Sequence, residues 1–205
     1  MSQNTGLQVL SEELVYKRYI RVIDRTVAFP PDGKPVKWDV ATSANFVTIL
    51  PFHKEDETVT LIKEWCQGPN EMRWSLPGGQ YDPKKSTSKL EAAKAELSEE
   101  ARLHEGTWVN LLSATHSQED ESHPGIPELK WVTNLFIPFL VIDPVEDLQP
   151  GARDDEELIE IHRVPLQEAV ELILKGEMML PSAQAIWMAA RYLREHQLLS
   201  KPVVL

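Results

Sequence analysis

Apolar and polar positions change period several times along the chain, and those changes mark its elements. Val15–Arg25 has the β-branched and aromatic pattern of a strand, and Thr26–Phe29 continues it. Pro30-Pro31-Asp32-Gly33-Lys34 is a turn in which proline presets φ and glycine accepts a positive φ. Val36–Ala41 is the returning strand, so a hairpin is predicted there. Phe46–Phe52 and Thr58–Trp65 form a second predicted hairpin around the polar Lys54-Glu55-Asp56-Glu57. Gln67–Met72 reads as a loop, and Trp74–Pro77 as a short apolar entry to Gly78-Gly79. A polar stretch, Gln80–Ser88, follows, in which Ser86, Thr87 or Ser88 can cap a helix. Lys89–Leu103 is the strongest helical segment, rich in good formers and free of Gly and Pro. Trp108–Thr115 and Trp131–Ile142 read as strands on either side of a proline-interrupted loop rich in acids and histidine. Leu158–Val164 is a further strand, and Pro165–Leu174 and Ala183–His196 are helices joined through Lys175-Gly176-Glu177. The first ten or so residues are polar and expected to be loosely held. Many strands, one central helix, more strands and two final helices argue an α+β chain or a mixed sandwich, because a doubly wound fold alternates regularly.

The central helix carries the chemistry. Glu96, Glu99 and Glu100 stand at i, i+3 and i+4, with Glu91 one turn earlier, so they share one side. Leu90, Ala93, Leu97 and Ala101 form an adjacent apolar stripe that can dock while the acids face a cavity. Close carboxylates raise one another's proton affinity unless a cation lies between them, and oxygen ligands of this kind suit Mg²⁺ or Mn²⁺. Alone, such a face is more often a solvated surface. The preceding Leu76-Pro77-Gly78-Gly79 shifts that reading, because two glycines let backbone approach a metal or phosphate where a Cβ obstructs.

Composition narrows the partners. Lys and Arg number 21 against 32 Asp and Glu in 205 residues, a formal charge of −11. The length suits one domain with a small extension. No dense basic stripe exists to neutralise phosphates, which argues against a nucleic-acid partner. A phosphorylated small molecule remains compatible where divalent cations separate the two sets of negative charge. The longest apolar stretch, Leu135–Ile142, is interrupted by Pro138 and is too short to span a bilayer, so no membrane partner is expected. No secretory signal is visible, and Cys66 is the single cysteine, so a reducing, cytoplasmic setting is expected, with the nucleus left open.

Residues Leu76–Leu103 resemble a Nudix box, the loop–helix signature of hydrolases acting on nucleoside diphosphates linked to another moiety. Gly79 matches its first glycine, Glu96-Leu97-Ser98-Glu99-Glu100 its glutamate core, and Leu103 its closing aliphatic. Tyr19–Ala41 and Asp155–Leu193 resemble the flanks of the ADP-ribose pyrophosphatase branch. The sequence departs from the pattern at several places. The loop between Gly79 and Glu96 is longer by two residues, and Ser86 or Thr87 falls where an early glutamate is usual. Ala95 replaces the arginine before the core, and Arg102 the late glycine. Lys94, Arg102 or Arg73 are then the cations available to orient the glutamates. Glu64-Trp65-Cys66-Gln67 lacks the arginine that usually follows a Gln-aromatic pair in that branch.

The resemblance implies an α/β/α sandwich with a mixed sheet, residues 45–200, preceded by an N-terminal strand extension, residues 1–44, that pairs across a homodimer. It implies metal ligation by Glu96, Glu99 and Glu100 with the Gly78 carbonyl, and Mg²⁺ as cofactor, Mn²⁺ in its place. The acidic loop Gly151–Glu157 carries the base: Glu157 matches best, with Asp155 and Glu156 as neighbours and Glu99 as a further catalytic candidate. Gly79, Arg73, Trp74 and Glu128 are the substrate-side residues, Glu128 through its Pro-Gly-x-x-Glu segment. The implied substrate is a nucleotide-sugar-like small molecule, ADP-ribose or an ADP-sugar. A catalytically silent nucleotide or protein binder is the alternative, and a hydrolase of dinucleoside polyphosphates or inositol pyrophosphates a further one. Trp65, Trp74, Trp108 and Trp131 can stack an adenine, although strand aromatics are usually core. His116 to His123, with Glu119, Asp120, Glu121 and Glu128, fits no standard zinc spacing and reads as a substrate-side loop.

Overall fold

A computed structural model describes residues 6–154, 157–201 and 203. Its strands are β1 (Gln8–Lys17), β2 (Arg21–Phe29), β3 (Lys34–Thr42), β4 (Phe46–His53), β5 (Thr58–Cys66), β6 (Glu71–Ser75), β7 (Leu103–His104), β8 (Thr107–Asn110), β9 (Ile126–Pro127), β10 (Leu135–Ile142), β11 (Val145–Glu146) and β12 (Ile159–Pro165). Its helices are α1 (Lys89–Ala101), α2 (Leu166–Leu174) and α3 (Leu180–Glu195). The chain divides into two compact units: residues 1–44 with 126–135, and residues 45–125 with 136–205.

In the first unit β1, β2 and β3 form an antiparallel sheet. The predicted strand Val15–Arg25 is in fact two, parted by a turn at Arg18–Ile20 where Arg18 N–H donates to the Ile20 carbonyl. No Gly or Pro marks that turn, so its β-branched and aromatic residues disguised it. β1 starts as early as Gln8, inside the stretch expected to be loose. The β2–β3 turn matches its sequence, with Gly33 at φ 67°.

The second unit is built on a mixed sheet of order β12-β5-β4-β10-β8, with β6 beside β5. β4 and β10 run parallel, and the other pairs along this path are antiparallel. Each face of the sheet is covered. Val47, Ile49, Ile137 and Phe139 pack with Leu90, Ala93, Leu97 and Ala101 of α1 on one side. Leu50, Phe52, Val59, Leu61 and Leu140 pack with Val170 of α2 and Ile186, Ala189 and Leu193 of α3 on the other. The stripe read from the sequence therefore docks α1, with Glu91 exposed, Glu96 and Glu99 half-buried and Glu100 buried beside the stripe. β6 stands where the sequence reads as loop and apolar entry. It takes the edge of β5 that β4 leaves, pairing Ile62 with Ser75 through Cys66 with Glu71. Among the described residues no helix is long and apolar enough to cross a membrane.

Candidate active site

Three backbone hydrogen bonds lay the glycine loop along β4. Val47 N–H donates to Gly79 O at 2.9 Å, Ile49 N–H to Pro77 O at 2.9 Å, and Tyr81 N–H to Asn45 O at 2.8 Å. Strand alternation then turns the amide and carbonyl of Gly78 the other way. The amide meets Glu100, donating to Oε2 at 2.7 Å. At Gly78 the approach is too close for any side chain, since a Cβ would lie 2.2 Å from Val47 O; at Gly79 a Cβ would lie 2.2 Å from Glu96 Oε1, the end of a side chain that would have to move aside.

Helix α1 presents the acids. Ser88 is the residue that caps it, its Oγ accepting from Glu91 N–H at 3.0 Å. The acidic His116–Glu128 loop serves this same end of the helix. Glu121 Oε1 accepts from Lys89 N–H at 2.8 Å, and the buried Lys89 ammonium donates to the His123 carbonyl at 2.9 Å. Asp120, held by Ser122 and Ser113, has its carboxyl lowered to about 2.

Burial is what sets the charge state of the glutamates. It pushes Glu96 up to about 7, with Glu99, Glu157 and Asp154 adding to the effect and Lys85 opposing it. Glu100 is almost wholly buried and held well above the carboxylate range, first by desolvation, against the bond from Gly78, and then by Glu96, Glu64 and Glu157. Glu99 is raised by partial burial, then by Glu157 and Asp154. The structure therefore brings Glu96, Glu99, Glu100 and Glu157 into one electrostatic neighbourhood. Glu157 itself is exposed, with Oε2 accepting from Asp154 N–H at 3.3 Å. Asp155 and Glu156 lie outside the described residues.

Glu64 belongs to this group too, and no motif singled it out. It lies on β5 between Arg73 of β6 and Ile159 of β12. Strand parity gives it the same side as Ile62, opposite the face Leu61 turns to α2 and α3. Its carboxyl is raised by burial and, more weakly, by Glu157.

Of the cations expected to orient the glutamates, Lys94 and Arg73 are engaged elsewhere, while the charge of Arg102 lowers the Glu99 carboxyl against its burial. Lys94 pairs with Glu91 at 2.8 Å. Arg73 pairs with Glu71 and donates to the Gly176 carbonyl at 2.8 Å. Arg102 holds φ 58° at the helix C-terminus, where the box pattern has glycine, and donates to Gly151 O at 2.7 Å. Trp74 packs its ring against His162 at 4.8 Å, with Lys63 Nζ 5.3 Å from its centroid. Trp108 is core against Phe139, and Trp65 is 41% exposed. Burial raises the Cys66 thiol, so it is a poor nucleophile.

In the first unit, Glu128 accepts from Asn134 Nδ2 at 2.6 Å. Trp131 and Trp38, ring centroids 5.4 Å apart, line a cavity of about 490 Å³ together with Lys37 and Asp39.

A family model described as the NUDIX domain matches residues 43–184. No curated protein matches the chain. Among solved structures, one described as the crystal structure of an ADP compounds hydrolase superposes with a TM-score of 0.73 at 18% identity, over 94% of this chain and 97% of that one. At that identity the likeness shows the fold: an α+β chain with a mixed sheet between helices.

Proposed function

This chain belongs to the Nudix family, and from that premise we propose that it hydrolyses the diphosphate bond of a nucleoside diphosphate derivative, with ADP-ribose or an ADP-sugar as first substrates. The convergence of Glu96, Glu99, Glu100 and Glu157 beside the Gly78-Gly79 loop carries the reading. The solved neighbour's description as an ADP compounds hydrolase supports the substrate class.

A divalent cation fits this donor set. Buried acids that raise one another's proton affinity are stabilised in the charged form by a cation, and hard oxygen donors suit Mg²⁺ or Mn²⁺. Among the described residues no three His, Cys, Asp or Glu side chains stand close enough to hold an ion as they are, so binding requires the carboxylates to draw in. Glu96 and Glu100 are the proposed ligands, with Glu99 as a third and the Gly78 carbonyl as a backbone oxygen. Bound there, the ion supplies charge neutralisation at the phosphates and acidifies water. Glu157 accepts the proton of the attacking water as its oxygen bonds to phosphorus and the bridging P–O bond breaks. Arg73 and Trp74 are the proposed substrate-side residues of β6, and Gly79 lies beside Glu96.

β1 leaves Leu10 and Leu14 half exposed, and a second copy of the chain is the proposed cover. The buried, unpaired Cys66 suits the reducing, cytoplasmic setting proposed for the protein.

The test is product release from a panel of nucleoside diphosphate derivatives with Mg²⁺, Mn²⁺ or chelator. Metal-dependent AMP from ADP-ribose is the expected result. Absence of turnover on every substrate, with tight metal-independent binding of one, would instead identify a silent binder, the reading that Ala95 and Arg102 favour.

A further inference from the structure

Among the described residues of the acidic loop, Arg153 makes the most specific contacts. Its Nε donates to the Glu99 carbonyl at 3.0 Å, its Nη2 to the Glu100 carbonyl at 2.6 Å, and its Nη1 reaches the Ile159 carbonyl at 3.4 Å. The first two acceptors are groups that a helix cannot satisfy by itself, since its last four carbonyls lack intrahelical partners. The Arg102 amide serves Leu97 and Ser98, so Glu99 and Glu100 are left over, and the last turn of α1 carries no basic side chain of its own. A guanidinium is suited to the place: it is charged, planar and forked, and it sits where the helix dipole favours a cation. Its third arm ends on the first residue of β12, immediately beyond the loop that carries Glu157. Further bonds hold the same loop to the helix end. Gly151 N–H donates to Ser98 Oγ at 3.0 Å, and Ser98 Oγ donates to Asp147 Oδ2 at 2.7 Å. A Cβ on Gly151 would stand 2.5 Å from Glu99 Cγ, so the loop lies directly against that side chain.

We infer that Arg153 is a positioning residue: by gripping the backbone of Glu99 and Glu100 and the start of β12 at once, it fixes the ligand glutamates against the loop that supplies the base. This rests on the hydrolase reading above. Position 95 offers no cation for the purpose, and Lys94 is taken by Glu91.

The experiment measures Mn²⁺ binding by electron paramagnetic resonance, alongside kcat and KM, in wild type, Arg153→Ala and Arg153→Lys. Loss of such a supporting contact should weaken Mn²⁺ affinity and lower kcat by roughly 10–100-fold, with KM for ADP-ribose within about twofold. Millimolar guanidinium should restore part of the affinity to Arg153→Ala. Arg153→Lys should recover less than half of the loss, because a point charge cannot span two carbonyls. Should Arg153→Ala not fold, the lysine variant carries the same readouts. Mn²⁺ affinity and kcat within about twofold of wild type in both variants, or a loss of kcat with Mn²⁺ affinity unchanged, overturns the inference. A wild type that binds no Mn²⁺ overturns the hydrolase reading instead, and the inference with it.

Discussion

Glu100 accepts a hydrogen bond from Gly78 while burial holds its carboxyl far above the usual range. Glutamine has nearly the shape of a protonated glutamate and keeps an oxygen for the Gly78 amide. Glu100→Gln should therefore leave the metal-free melting temperature within about 2 °C of wild type. The rise in melting temperature on adding Mg²⁺ should disappear, and turnover should fall by at least about 100-fold. A calorimetric scan with and without Mg²⁺, beside one rate measurement, checks all three; near-full activity would mean that Glu100 is not a ligand. At this scale the sequence was readable wherever spacing alone fixes geometry. Glu96, Glu99 and Glu100 share a face because the α-helix makes them, and the two glycines announce a close approach. Arg153 and Glu64 could not be read in the same way. Arg153 acts on carbonyls, which every residue possesses, and Glu64 matters only because β6 and β12 flank it.

Among the elements, α1 depends most on its ends. The Ser88 hydroxyl satisfies one of the orphan amides at its start. Ser88→Ala should lower stability by about 1 kcal/mol, read as roughly 2–4 °C in melting temperature for a chain of this size. An unchanged melting point would mean that Glu121, which accepts from Lys89 N–H, carries the cap alone. The sequence narrowed the cap to three candidates, and only the observed contact with Glu91 N–H selects Ser88. Helices and buried strands were legible because their apolar periods are long. β6 was not: it has five residues, only Ser75 is buried, and it exists because β5 offers a free edge. The turn at Arg18–Ile20 failed for the opposite reason, since the residues there have strand-like side chains in a turn.

Over the whole molecule, pH acts on stability through groups outside the site as well as through its buried glutamates. His53, buried at the end of β4 against Thr60 Oγ1 at 2.9 Å, has its imidazole lowered first by burial and then by Arg163, against Asp56 and Asp143. The unfolded chain takes up this proton near its ordinary pKa of about 6.5 while the folded one resists it. This contribution is thus complete above that pH and is lost as the pH falls toward the folded value. In His53→Gln the drop in melting temperature between about pH 7.5 and 5.5 should be smaller than in wild type; equal drops would show that His53 titrates alike in both states. The fold class was legible at this scale from the order of elements alone. The grouping of residues 126–135 with 1–44 was not, because it joins segments remote in sequence.

The parallel pairing of β4 with β10 has a consequence for biosynthesis. Phe46–Phe52 finds its parallel partner only when residues 136–142 have been made, and the outer edge of β5 waits longer still, for Ile159–Pro165. The N-terminal hairpin can close locally as it leaves the ribosome, whereas a nascent chain that ends after α1 displays the acidic helix without a finished floor beneath it. High contact order of this kind slows folding and lengthens the time for which apolar strand faces stay uncovered. The site therefore cannot be completed until β12 has been made, and the opposite face of the sheet waits for α2 and α3.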